Sequence, residues 1–327
     1  MSEVRKVQRT ASGTFFVSLP KAWGQQYGLE RGAVVAISVT DDGKLLIDPK
    51  YNVEPSPRAI TLKPSAYLGR EIMGKYLLGF DIIRVESKDH LSPEVREVIK
   101  KTVSGLVGLE IVEEDYTGIV VQCLLEPSGF PPEKILRRGY AIAAGMHRDV
   151  VNALVDGDLR LAKNVIDRDD EVNRLYFLSV RILRTIIQNP ELSEKLGVRQ
   201  IECLDYRLAA SLVEAIGDEC VHAAQKIGEL NSAKLAMDLK KAFVNFHTAC
   251  FEAHENAVKA FLSGDIDLAE EVRNMREKIA KIFADIEKIA RAQSLDVMPQ
   301  ILAVASALGQ IYEHSVDISD LVMPKKV

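Results

Sequence analysis

The chain has 327 residues and a formal net charge of −5, with 47% hydrophobic and 27% charged residues. This length allows two or three domains with separate cores, and the composition excludes a generally disordered protein. The four cysteines lie far apart without a CxxC pair, which argues against a disulfide framework or a zinc ribbon. We find neither a signal-peptide core nor an apolar run of the roughly 20 residues that a membrane span needs, so we expect a cytoplasmic protein with no membrane span.

Positive charge is concentrated near the N-terminus. Residues 1–50 carry a net charge of +2, whereas the rest of the chain carries −7. Residues 4–29 contain four Lys or Arg and no acid. A surface that contacts nucleic-acid phosphates is therefore expected in this segment and not along the acidic remainder of the chain.

Residues 1–50 are predicted to form a small β-domain. Two short strands flank a turn at Ser12-Gly13, a short helix begins after Pro20, and a hairpin turns at residues 41–43. A segment of this size buries little apolar surface, and its strand edges stay open. We therefore expect it to dimerise.

Two further segments precede the helical part of the chain. Residues 51–57 contain prolines and are predicted to be a linker, and residues 58–130 are predicted to form a small α/β domain. No motif in this domain indicates a site. Its predicted elements are strands at 58–62, 81–87, 109–115 and 118–125 and helices at 67–78 and from Ser92 to about Leu106.

Residues 131–327 are predicted to be helical and contain an internal repeat. Residues 153–162 align without gaps with residues 260–269, and in each copy a Gly-Asp step ends one helix and caps the next. Two successive three-helix repeats, at about 135–230 and 235–325, follow from this alignment.

Three motifs in the first fifty residues are distinctive: RKVQ at 5–8, GTFFVSLPK at 13–21 and LERG at 29–32. In their order and spacing they resemble the AbrB/SpoVT family of swapped-hairpin DNA-binding domains. The resemblance implies a dimer whose interleaved hairpins form one barrel, with basic residues of the first strand and the following loop on the DNA. The DNA-binding residues implied are Arg5, Lys6, Arg9, Thr10, Ser12 and Lys21.

The residue types support the same interpretation. Arginine and lysine on a β-ribbon, beside small hydroxyl residues, suit phosphate contacts, and arginine can also reach a guanine edge in the major groove. Two alternatives stay open. The charges can simply protect a solvated strand edge, and a similar fold serves as an antitoxin module that binds a protein.

Short motifs recur in the helical repeats. The Gly-Asp junction occurs twice, and the pattern E-x-x-x-D occurs at 214–218 and again at 313–317. The repeats thereby resemble PhoU, the phosphate-uptake regulator family built from two related three-helix bundles. The resemblance implies a non-enzymatic role in phosphate transport and signalling, with iron or other metals held by the E-x-x-x-D pairs. The expected fold class is multidomain α+β, with an N-terminal swapped-hairpin β-barrel, a small α/β middle region and C-terminal tandem three-helix bundles.

Helical spacing places candidate metal ligands on one face. Glu214, Asp218 and His222 are four residues apart and form one column, which the apolar residues opposite predict to point outward. The second copy is incomplete, because Gly309 replaces the first carboxylate and Arg276 stands where the first copy has an acid. An ordinary solvated face is the alternative. The predicted ligands, for iron, zinc or another divalent cation, are Asp169, Glu214, Asp218, His222, Glu313 and Asp317.

Catalytic motifs are not found: the sequence has no phosphate-binding glycine loop, nucleophile elbow, HExxH or dinucleotide fingerprint, so we expect no enzymatic activity. The first hypothesis is a transcriptional regulator of phosphate uptake that binds promoter DNA as a homodimer while its bundles sense phosphate status. The alternative is an adaptor that docks on a phosphate-transporter subunit or its sensor kinase without binding DNA. A metal-storage or redox protein is a third interpretation, which the incomplete second copy argues against.

Overall fold

The computed structural model describes residues 3–39, 43–49, 57–230 and 235–323. The chain divides into two compact units, Met1–Ser56 and Pro57–Val327. Of the predicted linker only Pro57 is described, and Asp41 and Asp42 of the predicted hairpin turn also lie outside the described residues. No helix within the described ranges is long and apolar enough to cross a membrane.

The first unit contains two antiparallel strand pairs and one short helix. Its elements are β1 (Gln8–Arg9), β2 (Phe15–Phe16), α1 (Lys21–Gln26), β3 (Ala36–Val39) and β4 (Leu45–Asp48). β1 pairs with β2, and β3 pairs with β4, so the order of predicted elements is confirmed although the strands are shorter. The described part of this single chain contains two separate sheets and no closed barrel. The two-chain barrel stays a prediction.

The α/β region forms one four-stranded sheet with two helices. Its elements are β5 (Ala59–Leu62), α2 (Leu68–Leu77), β6 (Ile82–Glu86), α3 (Pro93–Ser104), β7 (Leu109–Glu114) and β8 (Gly118–Cys123). The strand order is β5-β6-β8-β7, with β5 and β6 parallel and the other pairs antiparallel. Alternate residues of β6 and β8, such as Ile83 and Val121, are buried with α2 and α3 in one apolar core.

The remaining elements are helices that form two bundles. They are α4 (Pro132–Asp156), α5 (Leu159–Gln188), α6 (Pro190–Leu196), α7 (Glu202–Glu229), α8 (Met237–Ser263), α9 (Ile266–Asn274), α10 (Arg276–Ala290) and α11 (Met298–Asp320). The first bundle consists of α4, α5 and α7, and the second consists of α8, the pair α9 and α10, and α11. The bundles pack on each other through α7 against α11 and α4 against α8.

Two Gly-Asp junctions join the first and second helices of each bundle. Gly157 and Gly264 both have φ near +72°, in the left-handed region that glycine adopts without a Cβ clash. The Asp158 side chain then accepts hydrogen bonds from the backbone N–H groups of Arg160 and Leu161, and Asp265 accepts one from Leu268. The predicted ending and capping roles are confirmed.

Arg181 of α5 joins the α/β region to the first bundle. Its side chain is 5% exposed, and it donates to the carbonyl oxygens of Tyr76 at 2.7 Å and Phe80 at 2.8 Å and pairs with Asp81 at 2.9 Å. These carbonyls lie at the C-terminal end of α2, where a cation is favoured by the helix dipole. The α/β region is therefore anchored to α5 by a buried charge that is paired with a carboxylate and hydrogen-bonded to two carbonyl oxygens.

Candidate functional site: a cationic ribbon and an acidic cluster

The predicted DNA-contacting residues all lie on the surface of the first unit. The hydroxyl oxygens of Thr10 and Ser12 are 2.8 Å apart, and the Thr10 hydroxyl also accepts a hydrogen bond from the backbone N–H of Thr14, which fixes the turn between β1 and β2. The Arg9 guanidinium lies over the ring of Phe15, 5.4 Å from its centroid. All six predicted residues are exposed, namely Arg5, Lys6, Arg9, Thr10, Ser12 and Lys21.

The basic residues of this surface differ in their contacts and in their positions. Arg5 forms an ion pair with Glu3, two residues before it. Lys21 stands at the first position of α1, apart from the β1–β2 turn in sequence. We define the cationic ribbon as Arg5, Lys6 and Arg9, the three positive residues that precede and enter β1.

The first unit has no buried core of its own among residues 3–39 and 43–49. Large apolar side chains are exposed instead, including Phe15 at 67%, Ile37 at 61% and Val39 at 72%. A monomeric soluble protein rarely exposes so much apolar surface in a small segment, because the contact of apolar side chains with water is unfavourable. The described residues of this unit therefore do not bury these side chains against one another.

Three carboxylates of the first bundle lie close together between α5 and α7. We call Asp169, Glu214 and Asp218 the acidic cluster. Burial raises the pKa of Glu214 to about 6, with further contributions from the charges of Asp218 and Asp169. Burial and the charge of Asp218 likewise raise the pKa of Asp169. The cluster therefore holds negative charges that repel one another in a partly dehydrated groove.

The outward orientation predicted for this column is confirmed for Asp218 and His222, which are exposed, whereas Glu214 is partly buried. Oδ1 of Asp169 is buried and has no hydrogen-bond partner in the described structure, while Oδ2 accepts from the Asn173 side chain at 2.7 Å. A glycine, Gly217, lies beside it: a Cβ there would be 3.7 Å from Oδ1 of Asp169. The helical spacing of α7 alone does not show this, because Asp169 belongs to α5, which packs on α7.

The other three predicted ligands lie apart from the acidic cluster. The His222 side chain is 52% exposed, and its Nδ1 is 3.9 Å from a carboxylate oxygen of Glu219. In the second bundle Glu313 pairs with Arg276 at 3.0 Å, and an oxygen of Asp317 is 3.9 Å from Nδ1 of His314. Within the ranges that the structure describes, no group of three or more His, Cys, Asp or Glu side chains is placed to hold a metal ion.

Sequence reasoning missed a fully buried tyrosine in the second bundle. The Tyr312 hydroxyl donates to the carbonyl oxygens of Val272 at 3.1 Å and Arg273 at 3.3 Å, at the end of α9. When the last helices of the repeats are aligned through Ile216 and Ile311, Tyr312 falls opposite Gly217. That alignment is the signal that could have revealed it.

These helices define a class of protein: two three-helix bundles in tandem, each with the same Gly-Asp junction, with an acidic groove in the first. The sequence model of the PhoU domain matches residues 136–227 and 244–322, which together make up more than half of the chain. The chain belongs to the PhoU family. The matched segments leave residues 1–135 outside, so the AbrB/SpoVT resemblance stays a prediction.

Two solved structures are similar to part of this chain. PhoU from Pseudomonas aeruginosa is 19% identical, with a TM-score of 0.49, and the match covers 58% of this chain and 93% of that one. The phosphate transport system regulatory protein PhoU from Streptococcus pneumoniae is 16% identical, with a TM-score of 0.50, and the match covers 58% and 91%. At such identities the second likeness bears on the fold alone. A comparison with curated protein sequences finds no match.

Proposed function

We propose that this PhoU-family protein is a transcriptional regulator of phosphate uptake. Its first unit binds promoter DNA as a dimer, and its helical bundles sense phosphate status. Family membership supports a role in regulating phosphate transport, and the Streptococcus pneumoniae relative in fold is itself described as a phosphate transport system regulatory protein. The absence of catalytic motifs in the sequence favours a regulator that acts by binding.

The observation that carries the DNA-binding proposal is the combination of exposed cations and exposed apolar side chains in one small unit. A second copy of the same unit would cover the apolar side chains of β2 and β3 and complete a core. The cationic ribbons of the two copies would then form one positive surface on an otherwise acidic protein. Such a surface suits the closely spaced phosphates of a duplex.

The DNA proposal is tested with labelled duplexes from the promoter of a phosphate-transport operon. Each phosphate contact contributes about 0.9 to the slope of log K against log salt. Replacing Arg5, Lys6 and Arg9 by alanine removes six cations from the dimer, so it should lower that slope by up to about 5 and weaken binding strongly at low salt. Fluorescence anisotropy measures the affinity, and sedimentation velocity checks that free wild type and variant are dimers.

A matched control removes three exposed cations from the helical bundles. Arg160, Lys163 and Lys281 are exposed in the second unit, and their triple alanine variant changes the net charge by the same amount. It should bind DNA with the wild-type slope. If the ribbon variant instead binds as tightly as wild type and with the same slope, the ribbon is not the DNA surface.

The alternative is an adaptor that docks on a transporter subunit or its sensor kinase, with the first unit serving only for dimerisation. Pull-down at low salt, with and without nuclease, separates the two functions. Enrichment of promoter fragments that nuclease abolishes supports the regulator. Recovery of transporter subunits that nuclease leaves unchanged, with no DNA, supports the adaptor.

We further propose that the acidic cluster of the first bundle binds a divalent cation. As placed, the oxygens of Asp169, Glu214 and Asp218 form no coordination sphere, and what favours a cation is their shared negative charge. The charge of Arg207 opposes this only in part, because the pKa of Glu214 stays raised. Carboxylate oxygens suit hard cations such as Mn²⁺ or Mg²⁺. In isothermal titration with Mn²⁺, Glu214→Gln should weaken binding at least about tenfold. Glu313→Gln, the matched control in the second bundle, should not, and equal loss in both variants would refute this location.

A further inference from the structure

Three histidines meet where α4 of the first bundle packs on α8 of the second. His147 belongs to α4, and His247 and His254 belong to α8, with His147 and His254 both 0% exposed. The rings of His147 and His247 meet edge to face, with centroids 4.7 Å apart, and His254 meets the ring of Tyr140 in the same way at 4.9 Å. We call these three residues the histidine seam.

Five of the six ring nitrogens of the seam are buried without a hydrogen-bond partner. Both nitrogens of His147 and of His254 are buried and unpartnered in the described structure, and so is Nδ1 of His247. A neutral imidazole carries an N–H group, and burying a donor without an acceptor costs about 1–3 kcal/mol. Packing alone does not require histidine at these positions, because a phenylalanine or leucine would fill the same space without burying an unpartnered N–H group.

No counter-ion is available to a protonated seam among the described residues. The charged group that acts on His147 and His247 from α4 is Arg148, a cation that lowers the pKa of both. Carboxylates nearby in sequence already have partners: Asp149 pairs with Arg168 of α5, Glu252 with Lys278 of α10, and Glu255 with Lys259. From α5, α7, α9, α10 and α11, no charged group of the described chain contributes to the pKa of the three rings.

The same environment argues against a resident metal ion. A divalent cation placed between His147 and His247 would be buried beside Arg148 without an anion to balance it. The surroundings of the three rings therefore suit neutral imidazoles and disfavour positively charged imidazolium ions.

We propose that the histidine seam is an acid-sensitive latch, which holds α4 against α8 while its rings are neutral and releases the two helices when they take up protons. The two bundles then separate along α4 and α8, where they otherwise pack closely. The latch is independent of DNA binding by the first unit and of any cation at the acidic cluster.

The direction of the effect follows from proton linkage. Burial lowers the pKa of His247 from 6.5 to about 4 and that of His254 to about 3, and it lowers that of His147 well below 6.5. The closed state is therefore fully stable above pH 6.5 and loses stability as the pH falls, because only the open state takes up protons. At about pH 5 the opening equilibrium should rise about 30-fold for each histidine that opening hydrates.

Hydrogen exchange of the full chain tests the latch. Protection of backbone amides in α4 and α8 is compared at about pH 7.5 and about pH 5, with labelling times scaled for the slower chemical exchange in acid. Wild type should lose protection in these two helices at the lower pH by about 30-fold or more, while α3 of the α/β region keeps its protection. A change of less than about threefold in wild type overturns the latch, whatever the variants do.

Two variants locate the response. Replacing His147 and His247 by phenylalanine keeps the aromatic contacts and should lower the acid-induced opening by about 30-fold for each of the two rings that opening hydrates, which leaves only the contribution of His254. His222→Phe, which changes an exposed histidine of α7, should keep the full wild-type response. If both variants open equally in acid, other groups cause the opening and the seam is not the latch. Far-UV circular dichroism at neutral pH shows that each variant is folded.

Discussion

The two bundles share a fold and differ at corresponding positions of one groove. In the first bundle Asp169 faces Asp218 across α5 and α7, and the two carboxylates repel. In the second, the residues at those positions are Arg276 and Glu313, which form an ion pair. The comparison teaches that the repeat retained its apolar core and its Gly-Asp junctions while the charges of the groove changed. The repulsion is present at this pair of positions in the first copy and replaced by an ion pair in the second, so the fold does not require it.

A second difference concerns the shape of the middle helix. In the first bundle α5 runs unbroken from Leu159 to Gln188, and Gly217 of α7 lies against it. In the second bundle the corresponding helix is divided into α9 and α10, and the buried Tyr312 donates to carbonyl oxygens at the division. A side chain that inserts into the hydrogen bonds of a helix is a recognised cause of such a break. Glycine at 217 leaves room for the Asp169 carboxylate instead.

The largest expected effect is that of Tyr312→Gly, which gives the second bundle the residue of the first. Loss of a fully buried aromatic ring and its hydrogen bonds should lower the free energy of unfolding by about 3–5 kcal/mol. Urea unfolding followed by far-UV circular dichroism measures it. A loss under about 1 kcal/mol would show that the tyrosine does not hold the divided helix.

The matched control for Tyr312 is Gly217→Ala in the first bundle. A Cβ at this position would be 3.5 Å from Cγ1 of Val172, an ordinary contact. Since alanine also favours helix over glycine by about 1 kcal/mol, this variant should be as stable as wild type or slightly more stable.

A smaller effect is expected for Glu214→Gln, which removes repulsion from the acidic cluster. The folded pKa of Glu214 is raised from 4.5 to about 6, so the native state binds its proton more tightly than the unfolded state does. Its contribution to stability is therefore greatest below pH 4.5 and is lost as the pH rises through 6. Allowing for solvent screening, the variant should be about 1 kcal/mol more stable than wild type at pH 8 and equal to it near pH 4. Urea midpoints at the two pH values check this, and a gain that does not depend on pH would contradict it.

The smallest effect is expected for Arg276→Ala in the second bundle. Its ion pair with Glu313 is well exposed on both sides, so the variant should lose no more than about 0.5–1 kcal/mol, and less at high salt. Under one condition, the free energy of unfolding should rise in the Glu214 variant and fall in the Arg276 variant. Such opposite changes would establish that the two grooves differ in charge as described. Equal signs would break the comparison.

Much of the fold could be predicted from local sequence signals. Gly157 and Asp158 act within one junction, and Ser92 caps α3 through the backbone N–H of Val95, as its position before Pro93 predicts. The succession along the chain of the eight strands found in the described residues follows from such signals, because each strand and turn is specified by neighbouring residues.

Features that depend on which helices become neighbours could not be predicted in the same way. The burial of Asp169 Oδ1 is set by the approach of α5 to α7, and the meeting of His147 with His247 is set by the packing of α4 on α8. Helical periodicity assigns a residue to a face of its own helix and contains no information about the partner. The charge of the cluster was therefore predictable, and its enclosure was not.

The length of α5 has a mechanical consequence. Asp169, in the acidic cluster, and Arg181, in the anchor to the α/β region, are twelve residues apart on this continuous helix, a distance of about 18 Å at 1.5 Å per residue. A tilt of α5 at Asp169 would displace Arg181, because the backbone between these two residues is one continuous helix without a flexible loop. Any event that draws the carboxylates of the groove together would thus be transmitted directly to the sheet of the α/β region.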